Sequence, residues 1–269
     1  MNAALNRFYR MLFCRGGHRV HSPFVFDLIT TVIEEQSCYY CYESLEMVRQ
    51  QLLQSNQKVT VRNRTTSIKK TIDAFCFTEP EDRLLFRLAN RFNPKAIFVD
   101  GSHFGLTPLY LTAHSRDATC IVIESNPSIA AIACEFLKKN ATTSIDLRND
   151  WGDIPERLDF IVWGRTFIDY KHISESYTLP HKNKRIGEQS VFLPNNDSLS
   201  LINFERFLPY IDDHSVMVIS GINASSKSQN TWKAICVHPS VTVTIDLYRI
   251  GIVFFNPKHH QETYLSVVK

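Results

Sequence analysis

No stretch of the chain approaches the roughly 20 consecutive apolar residues that a membrane-spanning helix needs. The N-terminus also lacks an apolar core followed by the small cleavage residues of a secretory leader. Both absences point to a cytoplasmic protein. Charge of one sign is missing as well: the formal net charge is +3, too even a balance for the concentrated basic face that a phosphate backbone demands. Nucleic acid is therefore not the expected partner. The seven cysteines are odd in number, scattered, and mostly set in apolar runs where a thiol behaves as a small hydrophobe. Cys38-x-x-Cys41 has no second such pair to complete a zinc site, and His18-x-x-His21 straddles a glycine turn and a helix cap.

What remains is a globular composition, with 44% hydrophobic and 21% charged residues over 269 positions. That length accommodates one large domain with a small extension. The extension is expected over residues 1–78 as a helical cap and linker, and the main domain over 79–269. Residues 2–14 show a basic, aromatic helix pattern that either packs on the body or meets a membrane surface. Ser22 and Pro23 then mark a helix start, with Phe24, Val25, Leu28, Ile29, Val32 and Ile33 at helical spacing. A further helix is expected from about Tyr42 to Gln54, an irregular polar segment over 55–80, and a helix resuming at Glu79-Pro80-Glu81. From residue 96 the chain alternates as a parallel sheet requires. Strands are expected at 96–100, 119–124, 144–148, 158–163 and 215–220, and helices at 106–115, 127–139 and 199–209. The runs 241–247 and 250–255 are two residues apart and must form an antiparallel hairpin. The fold class is thus α/β, with a mostly parallel, Rossmann-like sheet of seven strands.

The densest information lies in AIFVDGSHFGLTPLYLTAHSRDATCIVIESNP, Ala96 to Pro127. A buried strand runs into a glycine turn, a helix follows, and a second buried strand stops at Glu124, 23 residues beyond Gly101. A glycine turn at the carboxyl end of a parallel strand lets backbone N–H groups approach a ligand, and an acid at this spacing accepts ribose hydroxyls. Gly101 and Gly105 are four apart and do not form GxGxxG, which disfavours a dinucleotide. Nucleosides without a pyrophosphate remain, S-adenosylmethionine foremost.

The order of elements and the run RLLFRLANRFNPKAIFVDGSHFGLTPLYL resemble class I S-adenosylmethionine-dependent methyltransferases, in particular small-molecule O-methyltransferase-like proteins of bacteria. HSPFVFDLI and VTVTIDLYRIGIVFF are similar to an uncharacterised bacterial branch of that superfamily. The resemblance implies that Gly101, Ser102 and Gly105 lie against the methionine part of the cofactor and that Glu124 holds the ribose hydroxyls. It also places Asp150 near the adenine amine, with Trp151 covering the ring. Where the family carries an acid two residues before the first glycine, this chain has Val99. Asp100 next to it is expected to point to the other face of the strand.

Metal-assisted members of the superfamily carry acids after the fourth and fifth strands, where this chain has Trp163 and Ser220. Hard divalent cations need several oxygen ligands, so no catalytic metal is expected. Methyl transfer then relies on alignment, with a base only if the acceptor keeps its proton; the candidate bases are His103, Asp169 and His172. The long polar segment 164–197, containing HKNKR, is either a substrate lid or a disordered stretch. The expected function is methyl transfer to a small-molecule acceptor. The alternative is a methyltransferase-like protein that has lost its chemistry and serves as a binding or partner subunit. A minor third reading, RNA modification, rests on Arg7, Arg10, Arg15 and Arg19 among Phe8, Tyr9 and Phe13.

Overall fold

The computed structural model describes Cys14 and residues 16–17, 20–61, 64–163 and 201–268. Its first helix, α1 (Pro23–Leu28), starts where the sequence places it, with the Ser22 side chain accepting from the Val25 N–H and Pro23 at the first position; a π turn over Ile29–Ile33 continues it. Helix α2 follows (Tyr42–Leu53).

The segment 55–80 differs from expectation. It is built from a hairpin, β1 (Lys58–Val61) against β2 (Arg64–Ser67), and helix α3 (Ile68–Phe75), whose N-cap is Ser67. Its surface is polar because only a few positions face inward. Val59, Ile68 and Ile72 are buried and pack in one cluster with Phe104, Leu106 and Ile129.

Helix α4 (Glu79–Phe92) ends where Asn93 takes a left-handed conformation, a common helix stop. The main sheet then unfolds as β3 (Ala96–Asp100), α5 (Leu106–Thr112), β4 (Thr119–Ile123), α6 (Pro127–Asn140), β5 (Ser144–Arg148) and β6 (Phe160–Trp163). After it come α7 (Leu201–Glu205), β7 (Val216–Ser220), α8 (Ser226–Cys236), β8 (Val243–Asp246), β9 (Ile250–Phe254) and β10 (Glu262–Leu265). The strand order is β10-β8-β9-β7-β6-β3-β4-β5. Strands β7, β6, β3, β4 and β5 pair in parallel, and β9 runs antiparallel to both β7 and β8, so the expected hairpin is present. The seven expected strands gain an eighth, β10, paired in parallel with β8 at the edge. Neither β10 nor α8 has a strong apolar signature. ETYL buries one residue of four, and α8 buries only Thr231, Trp232 and Ile235.

Strand alternation divides the core into two layers. Ile97, Val99, Val122, Val162 and Val218 face one side, beneath α1 and α4. Phe98, Ile121, Ile161, Met217 and Ile219 face the other, beneath Phe204, Phe207, Trp232 and Ile235. Among the described residues no helix is long and apolar enough to cross a membrane.

The α8 layer presses close to the sheet. A Cβ on Gly251, in β9, would stand 2.5 Å from the Trp232 ring, well inside van der Waals contact. Gly251→Ala is therefore expected to destabilise the protein by about 1–3 kcal/mol through overpacking. In urea denaturation the penalty should shrink when Trp232→Leu opens room in a double variant; an additive double variant would contradict this packing.

Candidate functional site

The site begins with the turn between β3 and α5. Gly101 (φ 97°), His103 (φ 46°), Phe104 (φ 58°) and Gly105 (φ 89°) all have positive φ. Two of them carry side chains in a region that costs such residues of order 1–2 kcal/mol each. The neighbourhood over-determines the conformation. Gly101 N–H donates to the Ile123 carbonyl (2.8 Å), Gly105 N–H to the Ser102 carbonyl (2.7 Å), and Phe104 is fully buried. Gly105 has a packing reason as well, since a Cβ there would lie 2.9 Å from Leu137 in α6.

Glu124 joins this turn to the next strand. Its Oε2 accepts from Ser102 N–H (3.2 Å) and Ser102 Oγ (2.7 Å), and its Oε1 from Asn126 N–H (3.0 Å). The residue is 4% exposed. Burial raises its carboxyl above the ordinary range, against the lowering effect of these three donors. The four lone-pair positions of a carboxylate leave Glu124 room for a further donor. The β1–β2 hairpin secures the same corner, with Asn126 Nδ2 donating to the Thr60 carbonyl (3.0 Å) and Thr60 N–H to Ser128 Oγ (3.2 Å).

Glu124 and Asp150 line one cavity of about 520 Å³, together with Ala130, Cys134, Leu147 and Arg148. Gly101, Ser102, Gly105 and Trp151 do not line it. Trp151 instead lies against Phe98 (5.1 Å between ring centroids) and Phe207 (4.9 Å), with the Arg206 guanidinium 4.6 Å over its ring. A second cavity of about 240 Å³ opens where β7 ends, bounded by Ser220, Gly221 and Tyr248 and by Phe75 and Phe77. Trp163 is buried against Phe207 (5.8 Å). Among the described residues no group of three or more His, Cys, Asp or Glu could hold a metal ion.

Of the candidate bases, His103 is buried with its ring edge-on to Phe77 (5.1 Å). Burial, reinforced by the nearby positive Arg49, lowers its pKa to about 4, which makes it a poor proton acceptor at neutral pH. Asp169 and His172 lie outside the described residues. Beneath the turn, Asp82 of α4 accepts from Arg49 of α2 and from Thr107 Oγ1 of α5 (2.8 Å), in a buried polar link.

Asp100 does lie on the opposite face from Val99, in line with Phe98, and it is 1% exposed with neither carboxyl oxygen hydrogen-bonded. Burial and the neighbouring Glu124 raise its pKa to about 7, against a smaller opposing effect of Arg206. Only an unpaired acid inside an apolar run could have signalled it.

A mostly parallel, Rossmann-like sheet closed by an antiparallel hairpin carries this site, its glycine turn and acid at the carboxyl ends of adjacent central strands. No family model matches the chain, and no curated protein does either. Solved structures are similar in fold. A structural-genomics target from Corynebacterium glutamicum aligns with a TM-score of 0.52 at 9% identity, covering 88% of this chain and 98% of that one. An O-methyltransferase from Bacillus cereus in complex with SAH aligns at 0.49 and 14% identity, covering 84% and 94%. The O-methyltransferase TomG from Streptomyces achromogenes, in complex with SAM, aligns at 0.47 and 12%, covering 87% and 95%. These are likenesses of fold.

The buried Asp100 makes a pH prediction. Its raised pKa means that the folded state binds more protons than the unfolded one between about pH 4 and 7, so its contribution to stability falls as pH rises through that window. Asp100→Asn removes this contribution, while Asp82, also raised by burial to about 6, acts equally in both proteins. The variant should gain on the parent by about 2–4 kcal/mol between pH 4.5 and pH 8 in chemical denaturation. A stability difference that does not vary with pH would contradict the assignment.

Proposed function

We propose that this chain is an S-adenosylmethionine-dependent methyltransferase acting on a small-molecule acceptor without a divalent metal. The observation that carries the reading is Glu124. It is a buried carboxylate at the end of β4, hydrogen-bonded to the glycine turn and lining a cavity that also receives Asp150. The cofactor's edge is rich in donors: two ribose hydroxyls, an adenine amine and an ammonium. The chain sets acceptors against them, with Glu124 suited to the hydroxyls and Asp150 to the amine. A volume near 520 Å³ falls within the range of small-molecule sites.

When bound, the cofactor supplies a methyl group activated on a sulfonium. The protein's part is alignment and exclusion of water, the main sources of rate for such a displacement. The acceptor's place is the smaller cavity, where Phe75 and Phe77 from the N-terminal 78 residues face Ser220 and Gly221. Trp163 and Ser220 stand where metal-assisted members of the superfamily resembled here carry acids, which supports metal-free chemistry. Proton removal falls to Asp169, His172 or solvent, because His103 is held too weakly basic.

A second reading, a chain that binds the nucleoside but transfers nothing, is favoured by one observation. The turn and Trp163 are buried at the sheet edge where chemistry would occur.

Calorimetric titration separates these outcomes at the first step. Both S-adenosylmethionine and S-adenosylhomocysteine are expected to bind, and Glu124→Gln to weaken both at least about tenfold, the cost of a charge-assisted hydrogen bond. No detectable heat at millimolar ligand would sink both readings. Transfer of label from methyl-labelled cofactor into a small-molecule cell extract would favour the enzyme; cofactor binding without transfer would favour the second reading.

A further inference from the structure

The smaller cavity has one wall held in a conformation that its residue does not favour. Strands β8 and β9 are joined by the two-residue turn Tyr248-Arg249, closed by the Leu247 N–H donating to the Ile250 carbonyl (2.8 Å). Tyr248 takes φ 74° at the first central position, where such hairpin turns normally place glycine. An aromatic residue there is strained, and the strain persists only because the surroundings fix it. The Tyr248 N–H donates to Asp246 Oδ1 (2.7 Å), Asn223 Nδ2 donates to the Tyr248 carbonyl (2.7 Å), and the Gly221 N–H donates to the Arg249 carbonyl (2.7 Å). The turn is thus clamped to the loop after β7, with a tyrosine at the cavity where glycine would be easier to fold.

Three aromatic residues, Tyr248, Phe75 and Phe77, line this cavity of about 240 Å³, and its charged residues are Asp73, Glu81 and Arg249. Glu81 is engaged twice, by the Arg249 guanidinium (3.0 Å) and by the Thr78 N–H at the start of α4 (2.7 Å). The charges of that ion pair cancel, and the exposed Asp73 leaves the rim net negative. Aromatic faces beside an acid favour a cation over a neutral molecule of the same shape. Among the described residues, neither histidine nor lysine lines the cavity. A phenol or alcohol would find no such base there to take its proton, whereas an amine brings its own lone pair.

We propose that the methyl acceptor is a small organic amine, received as a cation among Tyr248, Phe75 and Phe77 with Asp73 at the rim. The inference rests on the methyltransferase reading and on the acceptor's place in this cavity. The ammonium form binds, and one proton leaves to solvent at the exposed rim. The freed nitrogen lone pair then forms the new N–C bond to the methyl carbon. The C–S bond breaks and its electron pair stays on sulfur, so the sulfonium becomes a neutral thioether and the positive charge moves to the methylated nitrogen. The aromatic faces and Asp73 therefore stabilise charge where it develops.

The test uses benzylamine and benzyl alcohol, close in shape and different in charge, on the full chain, with catechol as a hydroxyl acceptor. Benzylamine should bind at least about tenfold more tightly than benzyl alcohol in calorimetric titration, with or without S-adenosylhomocysteine. Label from methyl-labelled S-adenosylmethionine should appear in N-methylbenzylamine and not in a catechol ether. Tyr248→Leu keeps an apolar wall and removes the ring; it should weaken benzylamine at least about fivefold and benzyl alcohol less than about twofold, while Tyr248→Phe keeps the parent's preference. Asp73→Asn should also weaken benzylamine alone. Every variant should bind S-adenosylhomocysteine within about twofold of the parent, which separates loss of the cage from loss of fold. Benzyl alcohol bound as tightly as benzylamine, no binding of benzylamine, or label passing to catechol alone overturns the amine class, and cofactor binding in the same samples leaves the methyltransferase reading standing. Preference for benzylamine without label transfer to it overturns its role as acceptor. Failure of the parent to bind S-adenosylhomocysteine overturns the methyltransferase reading and this inference with it.

Discussion

The hydrogen bonds from Ser102 to Glu124 hold together what the rest of the site needs. In the turn from Gly101 to Gly105 every residue except Ser102 has positive φ, and two of those four bear side chains, a conformation that local preference alone would not keep. Burial of Phe104, worth about 1.5–3 kcal/mol for such a side chain, offsets part of the strain. The charge-assisted contacts to Glu124 fix the turn's first residues against β4. Backbone geometry, acid placement and the start of α5 are thereby one unit. The β1–β2 hairpin and the Arg49–Asp82–Thr107 link brace it from outside the sheet.

Around this unit the mostly parallel, Rossmann-like sheet is packed on both faces. Val99 serves the apolar layer under α1 and α4, and Trp163 serves the aromatic layer with Phe207. Both side chains are fully packed in the core. Asp100 ends β3, and Glu124 and Asp150 line one cavity beyond β4 and β5.

Much of the fold was legible because central parallel strands, buried on both faces, read as apolar runs. Ala96–Asp100 and Ser144–Arg148 begin and end where the sequence places them, and Ser22 and Pro23 mark the first helix without ambiguity. What escaped notice was held by tertiary contact. The hairpin 58–67 and α3 bury a few residues each beneath a polar surface, and β10 is a short edge strand. In the site, Gly101 and Glu124 were visible as motif residues. Alternation placed Asp100 correctly on the face opposite Val99, but its burial without a hydrogen-bond partner depends on what packs around it from other elements. Trp151, expected over an adenine ring, is placed by Phe98, Phe207 and Arg206, none of which lies near it in sequence.

The central claim is that Glu124 and the turn it clasps form a nucleoside cradle. A crystal structure of the protein grown with S-adenosylhomocysteine tests this most directly. The account predicts the ribose hydroxyls within hydrogen-bond distance of the Glu124 carboxylate, with the Ser102 contact retained and the nucleoside at the carboxyl ends of β3 and β4. Nucleoside density elsewhere, with Glu124 bonded only to Ser102 and Asn126, would contradict it.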